Sequence, residues 1–173
     1  QDKSSNNLPP NLLAVFSQNL LNKFTNTEVL YEESSQLQFF GGELKLYKSS
    51  KNKTLVAIEG AISAPMGVSA IQTAIARGVK RIFVLGLCGA VDNSLNVGDI
   101  ILPTCCQREE GTSFHYLPPD VDATPDRNML DSLANHLKKH NLLYRKGRTV
   151  STDAPYRQTI NTELTWRKNG ILG

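Results

Sequence analysis

Thr54-Leu55-Val56-Ala57-Ile58-Glu59-Gly60 and, twenty residues on, Lys80-Arg81-Ile82-Phe83-Val84-Leu85 bracket the segment that decides the fold. Both are nearly continuous apolar runs, the pattern of strands covered on two faces. Between them Pro65 opens a helix with a stripe of Ala70, Ile71, Ala74 and Ile75, and Gly78 closes it. Strand, helix and strand in that order predict a crossover unit with a parallel pair and a right-handed connection. The class is α/β.

Upstream, residues 43–47 alternate as a strand, and the polar turn from Lys48 to Lys53 leads into residues 54–59, so the two form a hairpin. Leu12, Leu13, Phe16, Leu20, Leu21 and Phe24 recur at helical spacing and predict one amphipathic helix over residues 12–24. Downstream, residues 97–102 read as a strand opened by Gly98-Asp99, where Asp99 has a structural role. Thr124 is the expected N-cap of a helix with Pro125 at its first position and Asp126 in its first turn. Leu130, Leu133, Ala134 and Leu137 form that helix's buried face, and Lys138, Lys139 and His140 suit the negative end of its dipole. Residues 143–150 return as a strand, 159–168 make a short helix, and Gly170 begins another strand.

With 173 residues and 40% hydrophobic content, residues 1–173 suit a single domain with one core. A net charge of +3, with no basic stripe and no interleaved aromatics, gives nucleic-acid binding no support. No apolar run approaches the roughly 18 residues of a membrane span, and the opening residues are polar rather than signal-like. The chain opens on Gln1 rather than Met, so nothing before Leu8 is read for function. Three cysteines, two of them adjacent as Cys105-Cys106, do not make a disulfide framework and point to a cytoplasmic location. No Cys-x-x-Cys spacing exists, and His136 with His140 lacks a third ligand, so no metal is expected.

Three stretches carry chemistry. Gly86-Leu87-Cys88-Gly89 directly follows a strand, where glycines let backbone amides approach a ligand. Glycine turns after strands are also common without one, and the third glycine of a dinucleotide fingerprint is missing. Glu110-Gly111-Thr112-Ser113-Phe114-His115-Tyr116 packs a carboxylate, two hydroxyls, an imidazole and two aromatic rings together. Such a mix holds ribose hydroxyls and stacks on a base, or else makes a turn that satisfies its own backbone. In Asp153-Ala154-Pro155-Tyr156-Arg157 the proline stiffens the loop while Tyr156 offers a stacking face and Arg157 a fork of donors. The bland alternative is a surface turn with an Asp–Arg pair.

These stretches, with Val150-Ser151-Thr152 before the last of them and Asn169-Gly170-Ile171-Leu172-Gly173 after it, resemble the nucleoside phosphorylase/nucleosidase family from Glu59 onward. The motifs Gly-Thr-Ser-(aromatic)-His-Tyr-Leu-Pro-Pro at 111–119 and Thr-Asp-Ala-Pro-(aromatic)-Arg at 152–157 are similar to those of its phosphorylase-like subgroup. The resemblance implies a three-layer α/β/α fold around a mixed, twisted sheet, and cleavage of a nucleoside's N-glycosidic bond through an oxocarbenium-like transition state. It also implies a homo-oligomer and no cofactor, with phosphate a possible co-substrate. By it, Gly86, Leu87, Cys88 and Gly89 floor the sugar and acceptor site, Thr112 and His115 contact sugar or acceptor, and Tyr116 and Asp153 line the substrate site. Tyr156 and Arg157 read the base, and His115 is the candidate for proton transfer.

Departures accompany the match. Family phosphorylases carry an Arg two residues before the strand-end glycine and a Ser or Thr just after it, where this sequence has Val84 and Leu87. Arg81 lies at an odd offset from Val84, so on a strand it points to the other face. A Gly-Asp-Pro loop near the N-terminus is missing. The Glu-Met-Glu motif that holds ribose hydroxyls, and the Asp that serves purine bases as acid, would lie beyond Gly173, so an incomplete domain at the C-terminal side is expected. A non-catalytic nucleoside-binding or scaffold protein is the alternative.

Overall fold

The computed structural model describes residues 7–173. It falls into two compact units that divide between Leu87 and Cys88.

The first unit is a five-stranded sheet with two helices. Its elements are β1 (Asn11–Phe16), α1 (Gln18–Asn26), β2 (Leu30–Phe39), β3 (Gly42–Ser49), β4 (Leu55–Glu59), α2 (Ala64–Ala76) and β5 (Arg81–Gly86). The strand order is β2-β3-β4-β1-β5, with β1 parallel to both β4 and β5 and the β2-β3-β4 meander antiparallel. Alternation along the strands sorts their side chains onto two faces. Leu12, Ala14, Leu46, Val56 and Ile58 pack in one cluster with Ala74 of α2. Val15, Tyr47 and Ala57 pack in another with Leu21 of α1. Two apolar faces, each covered by a helix, make the unit an α/β/α sandwich around a mixed sheet, and the expected hairpin is the β3–β4 pair.

The expected helix over residues 12–24 is instead strand β1 followed by helix α1. Leu12, Ala14 and Val15 are fully buried because they lie in the middle of the sheet. Ser17 breaks the run and caps α1, its Oγ accepting from the Leu20 amide at 3.4 Å. Only Leu20, Leu21 and Phe24 owe their spacing to a helix. A five-residue apolar strand abutting an amphipathic helix mimics one longer helical pattern.

The β4-α2-β5 segment is the expected crossover, with Pro65 in the first turn of α2 and Gly78 just past its end at φ 107°. Its two strands run parallel but are not neighbours, because β1 lies between them. Strand β5 is less covered than its apolar sequence predicts. It is an edge strand, and Val84 is 63% exposed. Strand β2 has no clear alternation to announce it, since Glu32, Glu33, Ser34, Ser35 and Gln36 span a bulge.

The second unit contains β6 (Ile100–Glu109), α3 (Arg127–Lys139), β7 (Tyr144–Thr152) and α4 (Ile160–Lys168). The strands pair in parallel from Ile100↔Tyr144 to Glu109↔Thr152, with a shift between Pro103 and Cys105. On the other side of β7, Ile171 bridges Arg148 in parallel and the Gly173 carbonyl accepts from the Val150 amide at 3.0 Å. The strand expected from Gly170 therefore begins as a short parallel addition. Thr159 caps α4, accepting from the Thr162 amide, and Trp166 is buried with Val91 and Ile171.

Helix α3 starts two residues later than expected, with Asp126 rather than Thr124 as its N-cap. The Asp126 carboxylate accepts from the Met129 amide at 2.8 Å. Asp and Thr are both good caps, but this carboxylate also faces the positive end of the helix dipole. Of the expected buried face, Ala134 is buried whereas Leu133 is 36% exposed. Asp126→Ala should cost about 0.5–2 kcal/mol, while Thr124→Ala should stay within about 0.5 kcal/mol. Chemical denaturation of the two variants beside the parent chain measures both.

Candidate functional site

Register places the chemistry. Because Glu109 and Thr152 end the parallel β6–β7 pair opposite each other, the chain leaves both strands at the same edge. In α/β proteins that edge, the carboxyl end of parallel strands, is where ligands gather. The two loops that follow carry the motifs at 110–116 and 153–157. They are joined directly: the Gly111 amide donates to the Asp153 carboxylate at 3.0 Å.

Of the three consecutive charged residues at the end of β6, Arg108 and Glu110 anchor the first loop and Glu109 anchors helix α4. The Arg108 guanidinium donates from Nε to Ser113 Oγ at 2.7 Å and from Nη1 to the carbonyls of Pro118 and Val121, both at 2.7 Å. From Nη2 it donates to the Leu117 carbonyl at 2.9 Å. Its carbon centre lies 4.4 Å from the centroid of the Phe114 ring, a cation–π contact. Lysine has neither the fork nor the flat face to replace it.

Glu109 Oε1 accepts from the Trp166 indole at 2.8 Å and from Gln107 at 2.6 Å, which ties helix α4 to the end of β6. Glu110 is buried, and its Oε2 accepts from the Ser113 amide at 2.9 Å. Burial alone would raise its pKa. Hydrogen bonds from the Ser113 hydroxyl and amide and the Thr112 amide, with the Arg108 charge, outweigh that and hold the carboxyl below its usual range. The Ser113 hydroxyl thus accepts from Arg108 and donates to Glu110.

Pinned this way, residues Thr112–His115 form a 3₁₀ turn. Thr112 is half-buried, and Phe114, His115 and Tyr116 are exposed on the turn and at its end. Residues Pro155–Arg157 make a second 3₁₀ turn, on which Tyr156 and Arg157 are both exposed. Asp153 meets the first loop rather than pairing with Arg157, so the isolated-turn alternative does not describe it. Cys88 and Gly89 lie beside the chain's last residue: a Cβ at Gly173 would come 2.8 Å from Cys88 Sγ and 2.7 Å from the Gly89 carbonyl oxygen. Gly86 ends β5 opposite Phe16, and Leu87 is 76% exposed. Asp99 accepts from the Asn96 amide at 2.8 Å, a turn-forming role.

The rings of His136 and His140 are 4.5 Å apart. Among the described residues, no group of three or more His, Cys, Asp or Glu is placed to hold a metal ion. No helix among them is long and apolar enough to cross a membrane.

A mixed sheet with a helix on each face in the first unit, and motif-bearing loops after a parallel strand pair in the second, define an α/β protein. The chain belongs to the phosphorylase superfamily, whose family model matches residues 12–173. It is 28% identical over 141 residues to guanosine phosphorylase of Halorubrum lacusprofundi, covering 81% of this chain and 58% of that protein. It is also 28% identical over 102 residues to uridine phosphorylase of Haemophilus influenzae, covering 59% and 40% respectively. The fold matches a uridine phosphorylase from Vibrio fischeri with a TM-score of 0.81 at 18% identity, covering 96% of this chain and 68% of that one. Against a purine nucleoside phosphorylase of Toxoplasma gondii the TM-score is 0.79 at 19% identity, covering 94% and 65%. The chain thus spans from two fifths to under three fifths of the length of these two curated relatives.

Arg108 and Glu109 are the residues that sequence reasoning missed. Three consecutive charges at the end of a strand, just before a glycine, were the available signal.

Two measurements test this arrangement. Arg108→Met should destabilise the unit by about 2–3 kcal/mol by stranding carbonyls that a charged donor served, and should speed amide exchange across residues 111–121. For Glu110 the folded pKa lies below the unfolded value, so its stabilisation is fully present above the ordinary carboxylate range, about 4.3. It is lost as pH falls through the folded value. Glu110→Gln should therefore be less stable than the parent chain at neutral pH, by a margin that narrows as the solution is acidified.

Proposed function

We propose that the whole protein cleaves the N-glycosidic bond of a nucleoside, with phosphate or water as the acceptor. The observation that carries this reading is the pair of joined loops after β6 and β7, in a chain of the phosphorylase superfamily. The names of the relatives, guanosine phosphorylase and uridine phosphorylase, support it.

In this reading Thr112 and His115 contact the sugar or acceptor, and Tyr116 and Asp153 line the substrate site. Asp153 also fixes the Gly111 backbone. Gly86, Leu87, Cys88 and Gly89 belong to the sugar and acceptor floor, and Tyr156 with Arg157 reads the base. As the ribose C1′–N bond breaks, positive charge builds on the sugar and negative charge on the base. His115 is the proton donor for the departing base, an effect typically worth about 10²–10⁴ in rate. Residues 1–173 are read as one domain, since the family model runs across both units. A cytoplasmic homo-oligomer acting in nucleoside salvage completes the proposal.

A second reading is a nucleoside-binding protein without turnover. Exposed apolar side chains at Val84 and Leu87 favour it, because phosphorylases of the family place phosphate-binding residues there.

Incubating the intact protein with inosine, uridine and methylthioadenosine, each with and without inorganic phosphate and with chromatographic detection of free base, separates the two. Cleavage predicts base release that His115→Ala lowers by about 10²-fold or more. Saturable nucleoside binding with no base release would favour the binder instead.

A further inference from the structure

Both ends of the second loop refer back to a single rung of the β6–β7 ladder, the one that pairs Glu109 with Thr152. At the entry to the loop, Thr152 Oγ1 accepts from the Ala154 amide at 3.1 Å. At the exit, the Thr159 amide donates to the Arg157 carbonyl at 2.9 Å, and Thr159 caps α4, its Oγ1 accepting from the Thr162 amide at 3.3 Å. The helix then carries the chain back to the rung, where the Trp166 indole donates to Glu109 Oε1 at 2.8 Å.

Helix α4 is held at its far end. Trp166 is the buried residue of these nine and packs with Val91 and Ile171, whereas Ile160 and Leu164, nearer the loop, are exposed. In the same last turn Arg167 donates from Nε to the Val91 carbonyl at 2.8 Å. Apolar burial fixes the depth of the indole but is not directional. The hydrogen bond to Glu109 supplies the direction. From Ile160 to Trp166 is about 9 Å of helix, so a tilt of about 6° at the indole displaces the loop end by about 1 Å. Misplacement on that scale can cost on the order of 10² in rate.

Glu109 is itself braced. Its Oε1 also accepts from Gln107 Nε2 at 2.6 Å, and Gln107 Oε1 accepts from Asn169, just past the end of α4, at 3.5 Å. Two apart on one strand, Gln107 and Glu109 project from the same face, the face that meets the helix.

We propose that Glu109 is a positioning residue for base recognition: through Trp166 it sets the orientation in which Tyr156 and Arg157 meet the base. The proposal deepens the cleavage reading above and rests on its assignment of those two residues to the base. Contacts to the base exist before the C1′–N bond breaks and persist while it does, so a displaced loop weakens substrate and transition state alike. The consequence falls on KM rather than on kcat.

The test compares Glu109→Ala, Glu109→Gln and Trp166→Phe with the parent in the intact protein, using inosine, uridine and methylthioadenosine with inorganic phosphate present. Calorimetric titration gives affinity without turnover, base release gives KM and kcat, and thermal unfolding follows the fold. Glu109→Ala, which leaves the indole without its acceptor, should weaken affinity and raise KM about tenfold, with kcat within about twofold. Trp166→Phe keeps a ring but loses the N–H, and should act in the same direction. Glu109→Gln retains an acceptor oxygen and should bring KM to within about threefold of the parent. A lowered unfolding midpoint with affinity and KM unchanged would make the contact structural only and overturn the proposal. Glu109→Gln behaving like Glu109→Ala, or a fall in kcat alone, would overturn it too. Where the parent binds a nucleoside without releasing base, the cleavage reading fails while the affinities still decide the proposal. A parent that binds none of the three nucleosides sinks both.

Discussion

The parallel pairing of β6 with β7 is the constraint on which the candidate site depends. Its register runs to Glu109 opposite Thr152, so neither strand outlasts the other and both loops start level. A slip of one residue would turn Arg108 and Glu110 to the opposite face and separate Gly111 from Asp153. Several weak interactions then act in concert. The Arg108 fork sets the return of the first loop, Glu110 draws in the 3₁₀ turn, and Asp153 joins that turn to the second loop. Glu109, through Trp166, holds the helix that follows the second loop.

This arrangement separates the residues that shape the loops from those left exposed on them. Arg108, Glu110 and Ser113 direct their hydrogen bonds to one another and to the backbone, Arg108 to carbonyls and Glu110 to amides. His115, Tyr116, Tyr156 and Arg157 are exposed on the two turns thus formed. A site whose geometry is fixed before its ligand arrives loses less entropy on binding than one ordered by the ligand. The first unit shows the same economy in a different form, with glycines at the strand ends surrendering their space to a phenylalanine ring.

Much of this was legible from residue order alone. The crossover from β4 through α2 to β5 announces itself by a proline, a glycine and two apolar runs, and the parallel β7 by its own pattern. What escaped did so for physical reasons. Leu12 to Phe24 satisfies a helical period although its first third is a buried strand, because a fully buried strand has no alternation to distinguish it. Asp126 prevailed over Thr124 through charge at the helix terminus. The bulged polar strand β2 lacks an apolar face over half its length. Among site residues, the loops were found by composition, but the roles of Arg108 and Glu109 depend on partners that lie from 5 to 57 residues further along the sequence. No local pattern encodes such partners.

The central claim is that the turns at Thr112–His115 and Pro155–Arg157 serve one small molecule together. Amide chemical shifts of the isotopically labelled full chain, followed through a titration with a nucleoside, address it most directly. The account predicts that amides of residues 111–116 and 153–157 shift together and saturate with a single dissociation constant. Shifts confined to one of the two loops, or two groups saturating at different nucleoside concentrations, would contradict it.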